Sequence, residues 1–134
     1  MKREAVNPAS MYDTLKFNFS HAVESEGGHL LHLAGQVAVD AEGNLVGEGD
    51  LSLQTRKVCE NLKEVLASRN AGPGNVVRIR IYVADHEPSK LEIIEPVIGE
   101  FFGEVVPAAS TLIGVQALAM PGFLIEIEAT AVLD

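Results

Sequence analysis

Apolar and polar residues alternate along this chain in two rhythms, and each change of rhythm marks an element. Val77, Ile79, Ile81 and Val83 alternate with Arg78, Arg80 and Tyr82. A period of two predicts a strand with one apolar and one polar face. Phe17 to Val23 and Leu30 to Val39 also have strand character, and Ser25-Glu26-Gly27-Gly28 between them suits a hairpin turn. Val6 to Tyr12, with Asn7-Pro8, reads as a loop, and Asp40-Ala41-Glu42-Gly43-Asn44 as a second turn. Thr111 to Leu118 and Phe123 to Val132 read as two further strands joined through Met120-Pro121-Gly122, and a short strand near Glu4 would complete a set of six.

From Asp50 the period lengthens. Val58, Leu62, Val65 and Leu66 fall on one helical face, with Asp50 placed to cap its first turn and Gly72-Pro73 to stop it. Leu91, Ile94, Ile98, Phe101 and Phe102 mark a second helix. Pro88 fits its first turn, whereas Pro96 should kink or restart it. Two helices on one face of a mixed sheet make an α+β layer. Leu112, Leu118 and Leu124 are expected on the sheet face that the helices leave open, which would favour association with other copies.

The chain's 134 residues suit one domain, 1–134, and 47% apolar against 22% charged residues exclude a disordered chain, a coiled coil or a collagen-like repeat. No apolar run approaches the roughly 20 residues that span a bilayer, so no membrane insertion is expected. Met1-Lys2-Arg3-Glu4-Ala5 leads into no apolar stretch, so no signal peptide is expected. A single cysteine forms no internal disulfide and fits the reducing cytoplasm. Nineteen acidic against ten basic residues give a net charge of −9. Such a surface repels phosphate backbones, and with no Trp and 5% aromatics there is little to stack bases on, so nucleic acid is not an expected partner.

Candidate chemistry is sparse. Glu126 and Glu128 alternate with Ile125 and Ile127, so both carboxylates leave one strand face. They can serve as a general base or simply pair across strands with Arg78 and Arg80. Ser110 and Thr111 offer hydroxyls but lack the base and the Gly-x-Ser-x-Gly elbow that a serine nucleophile needs. His29 and His32 are three apart in a strand and point to opposite faces, so no metal is expected. Gly43, Gly47 and Gly49 lack phosphate-loop spacing, and Cys59 on the apolar helix edge reads as a buried structural thiol.

The segments themselves resemble the RidA/YjgF family. The likeness runs in order through Phe19-Ser20-His21-Ala22-Val23, Leu33-Ala34-Gly35-Gln36-Val37, Gln54-Thr55-Arg56 and Phe101-Phe102. It continues through Pro107-Ala108-Ala109-Ser110-Thr111 and Ile125-Glu126-Ile127-Glu128-Ala129. The resemblance implies a chorismate-mutase-like α+β fold: a six-stranded mixed sheet with two helices on one face, assembled as a homotrimer. It also implies inter-subunit clefts for a small-molecule ligand, no cofactor, and hydrolysis of reactive enamines and imines to carbonyl compounds and ammonia. By family position, Glu126 helps place the attacking water, and Gly35 lines the cleft. Phe19, Ala34, Ser110 and Thr111 would contact the ligand. The chain departs from the archetype in polarity: Ser110 stands where an Arg clamps the substrate carboxylate, Phe19 where a Tyr stands, and Ala34 where a Ser precedes Gly-Gln. Those departures leave a diverged deaminase and a non-catalytic ligand-binding or protein-stabilising trimer as alternatives.

Overall fold

The computed structural model describes residues 1–134 as an α+β domain with two helices packed on one face of a mixed sheet. Six strands form: β1 (Lys2–Val6), β2 (Ala22–Glu26), β3 (His29–Gln36), β4 (Val76–Ala84), β5 (Ala109–Val115) and β6 (Ile125–Leu133). They are divided between two sheets. Four strands lie in the order β3-β6-β4-β5, and β1 and β2 form a separate antiparallel ribbon. β4 runs parallel to β5 and antiparallel to β6. A parallel bridge from Ser20 to Ala109 links the ribbon side to β5.

The helices are α1 (Leu51–Ala67) and α2 (Leu91–Phe102). The Asp50 carboxylate accepts from the Leu53 amide at 2.9 Å, which caps one of the amides that a helix start leaves unpaired. Val58, Leu62 and Leu66 of α1 and Ile94, Val97, Ile98 and Phe101 of α2 are buried against Ile79, Ile81, Val83, Ile125 and Ile127. The period of two in β4 and β6 thus delivers one face of the sheet to the core. Cys59 is buried in this layer, and desolvation pushes its thiol up to about 12, well out of reach of ordinary thiolate chemistry.

Several expectations are corrected. The strand expected over Phe17 to Val23 begins only at Ala22, as β2; before it Leu15–Phe17 form a 3-10 turn, and Asn18 closes it at φ 63. Asn tolerates that left-handed conformation, and its side-chain amide donates to the Glu95 carbonyl at 3.0 Å, which ties the turn to α2. Gly27 and Gly28 do turn the chain, both at positive φ, but β2 and β3 do not pair as a hairpin. A Cβ at Gly28 would lie 3.2 Å from Val132 Cγ1 and would meet the Leu133 carbonyl, so glycine lets this turn close on the end of β6, while β2 pairs with β1 instead. The third strand ends at Gln36, after a register shift between Leu33 and Gln36, and Val39 only bridges Leu45. Pro96 lies inside α2, which continues through it without restarting. The bond it cannot make belongs to the Glu92 carbonyl, on a solvent-exposed side where water can replace it.

The open face of the sheet is not built from the expected leucines. Leu112 pairs with Ile81 in register and packs on the core side, while Leu118 and Leu124 lie outside the strands. The uncovered face is mixed: it carries Arg78, Arg80 and Tyr82 of β4 and Glu126, Glu128 and Thr130 of β6, beside exposed Leu30 of β3 and Ile113 of β5.

Candidate functional site

Loop residues with little secondary structure are held by side-chain hydrogen bonds, and those bonds build a cleft on the helix side of the sheet. Ser20, buried, donates through Oγ to the Pro107 carbonyl at 2.6 Å, and its amide donates to the Ala108 carbonyl at 3.0 Å. The loop is held from its other end by Asn7, whose amide donates to Ser20 Oγ at 3.3 Å and whose Oδ1 accepts from the His21 amide at 2.8 Å. Gly99 lets this loop close on α2, since a Cβ there would stand 3.0 Å from the Asn18 amide nitrogen. Phe19 and Ser110 are thereby brought to one cleft.

The cleft is about 340 Å³. Its walls are mostly aromatic and aliphatic: Tyr12, Phe17 and Phe19 from the loop, Ile94 and Ile98 from α2, and Leu112 from β5. The polar groups that enter it include Ser110, Asn18 and Glu95. Burial pushes the Glu95 carboxyl above its ordinary range. No Lys or Arg lines it.

The other family-position residues lie elsewhere. Glu126 pairs in register with Tyr82 on the open face, and its side chain lies directly over Gly35. A Cβ at position 35 would fall 2.7 Å from the Glu126 carboxyl carbon and 2.8 Å from its Cγ. Gly35 therefore seats Glu126, a closer constraint than the open approach to a ligand that its family position implies. Ala34, exposed, precedes it, and its carbonyl accepts from the Gln36 side chain at 3.1 Å. Glu128 is engaged instead. It accepts from Tyr82 Oη at 2.9 Å and pairs with Arg80 at 3.4 Å. Glu126 has no such hydrogen-bonded partner. Thr111 pairs in register with Arg80 and lines, with Ser110, Arg78, His21 and Thr130, a wider groove of about 540 Å³.

The single chain thus divides the six candidate residues. Phe19 and Ser110 share the helix-side cleft, Ser110 and Thr111 share the wider groove, Glu126 and Gly35 touch on the open face, and Ala34 stands apart.

A family model described as endoribonuclease L-PSP matches residues 13–133. The chain belongs to this family, the RidA/YjgF proteins. A crystal structure of the Rid family protein YyfB from Yersinia pestis is similar over 99% of this chain and 100% of that one, at 54% identity and a TM-score of 0.96. Protein DfrA of Myxococcus xanthus is 35% identical over 85% of this chain and 84% of its own length. A RutC family protein of Pyrococcus horikoshii is 32% identical over 84% of this chain and 85% of its own. The α+β arrangement with two helices and a mixed sheet is shared with the Rid structures. As in any chain without such a segment, no helix of this Rid protein is long and apolar enough to cross a membrane.

Two residues near these clefts were given no site role by the sequence reading. Glu95 follows Leu91 by four positions and precedes Ile98 by three, so a helical wheel would have set it beside the apolar stripe. Gln54 is fully buried. Its Nε2 donates to the Gly47 and Gly122 carbonyls at 3.1 and 2.9 Å, and its Oε1 accepts from the Leu124 amide at 2.9 Å. These bonds fix the start of β6, and with it the position of Glu126. In the sequence it stands out only as part of the family-like segment Gln54-Thr55-Arg56.

Proposed function

We propose that this Rid protein is a homotrimer whose inter-subunit clefts bind small metabolites, and that it acts there as a diverged enamine or imine deaminase. The observation that carries this reading is the split of the site. Glu126 and Gly35 present a free carboxylate on the open face, while Phe19 and Ser110 line a cleft on the other side. Joining the open face of one copy to the cleft of another would complete a composite site.

The chemistry such a site performs is the addition of water to C=N. The Glu126 carboxylate takes a proton from the attacking water as its oxygen bonds to the imine carbon. The nitrogen gains a proton, the C–N bond breaks, and a carbonyl compound and ammonia leave. A carboxylate within hydrogen-bond reach of that water is a suitable base, and no metal or organic cofactor is required. One feature favours a ligand-binding trimer without turnover: Ser110 cannot supply the charge of a clamping Arg. The endoribonuclease activity in the family's description is set aside, because a net charge of −9 opposes an RNA backbone. The single buried Cys59 is compatible with a reducing cytoplasm.

Ammonia release from enzymatically generated 2-aminoacrylate tests the catalytic reading. The unmodified protein should accelerate release, and Glu126→Gln should lower the rate by about 10²-fold. Equal rates with and without protein would leave only the binding trimer. Light scattering should give three times the chain mass; a stable monomer at micromolar concentration would dismantle the composite site.

A further inference from the structure

The helix-side cleft has a polarity that its family position does not lead one to expect. Its polar groups are a carboxylate, an amide and hydroxyls, and its walls are aromatic. Two of the cations nearby are otherwise engaged, and Arg78 belongs to the adjoining groove that also includes Ser110. Lys16 lies over the Phe17 ring at 5.2 Å from its centroid, and Lys90 donates to the Ala84 and Asp85 carbonyls at 3.1 and 2.6 Å. The amide of Asn18 is likewise held by the Glu95 carbonyl.

A carboxylate entering this space would shed water for neutral hydroxyl donors and meet Glu95, an uncompensated burial of like charges. A cation would gain on both counts. It would face the Glu95 carboxylate and lie among the aromatic rings of Phe17, Phe19 and Tyr12. The Lys16–Phe17 contact already shows one of these rings holding an ammonium group. About 340 Å³ accommodates a small apolar body beside that charge.

We infer that the cleft selects ligands with an apolar body and a positively charged nitrogen, the chemical class of aliphatic and aromatic iminium ions and amines, and rejects small carboxylates. This rests on the reading that the cleft is the substrate half of the composite site. In that setting the hydrolysis balances as iminium plus water giving carbonyl compound plus ammonium. The apolar walls would carry the substituent, Glu95 would face the nitrogen in the ground state, and Ser110 would offer its hydroxyl.

A matched pair of probes tests this by calorimetry on the full-length protein: 2-phenylethylammonium and 3-phenylpropanoate at neutral pH. The ammonium should bind about tenfold tighter or more. Glu95→Gln, which keeps the side-chain shape, should close most of that gap. Ser110→Arg should reverse the order and favour the carboxylate, so the test survives if Glu95→Gln fails to fold. Equal or tighter binding of 3-phenylpropanoate by the unmodified protein would overturn the inference. So would no binding of either probe at millimolar concentration, or a preference unchanged in both variants. The outcome is separable from catalysis. An ammonium preference without ammonia release would remove the deaminase and keep the selectivity; hydrolysis of 2-aminoacrylate with a carboxylate preference would do the opposite.

Discussion

The two faces of the four-stranded sheet are made by the same strands, and they differ in almost every physical respect. On β6, Ile125, Ile127 and Ala129 are buried beneath the helices, while Glu126 and Glu128 point the other way and remain partly exposed. On β4, Ile79 and Ile81 alternate in the same manner with Arg80 and Tyr82. The covered face holds the molecule together through dispersion and removal of apolar surface from water. The open face carries charges whose mutual pairing in solvent is worth little. Neighbouring residues on one strand can therefore have opposite jobs, which leaves the open face free to carry chemistry.

The largest expected effect that would break this contrast is on the covered face. Ile127→Ala should destabilise the fold by about 2–5 kcal/mol in urea unfolding, through lost burial and the cavity left behind. Its immediate neighbour, Glu126→Gln, should change stability by less than about 0.5 kcal/mol. Comparable losses at the two positions would mean that the open face is buried in the assembled protein to the same degree. A finer test uses the contact between Tyr82 and Glu128. Tyr82→Phe removes one hydrogen bond of 2.9 Å and should cost roughly 0.5–1.5 kcal/mol, less than any core truncation. A loss above about 2 kcal/mol would show that this polar face is desolvated and structural.

The covered face was legible in the sequence because burial imposes a period. Val58, Leu62 and Leu66 announce their helix face, and Ile79, Ile81 and Val83 their strand face, without any knowledge of partners. What the pattern could not supply was which strand pairs with which. Two adjacent glycines do describe a turn, but they do not show that β2 takes β1 as its partner and β3 takes β6, a hundred residues away in the chain. Leu112 was assigned to the wrong face for a related reason: only its register against Ile81 settles which way it points. Phe17 and Phe19 alternate with Asn18 and Ser20, which gives the segment strand character in the sequence. Asn18, in a left-handed conformation and bonded to Glu95, decides against it. The site was legible only where single residues matched a family motif. Glu95 and Gln54 act through contacts made across the fold, and no local rhythm reports those.

Arg3 shows how far such contacts reach. Its guanidinium donates from Nε to the Val76 carbonyl and from Nη2 to the Val106 carbonyl, each at 2.8 Å, and partial burial lowers its pKa. One side chain on β1 thus ties the ribbon both to the start of β4 and to the segment entering β5. Truncating it would loosen the frame that holds Ser110, without touching the cleft itself.

The seat of Glu126 on Gly35 has a consequence for how such a protein can change over generations. A carboxylate lying where a Cβ would stand couples the two positions. A residue larger than glycine at 35 requires the Glu126 side chain to turn to another rotamer, so what such a change alters first is where the carboxylate points and not whether the chain folds. Variation at 35 would thus act as a dial on the direction of the acid across from it.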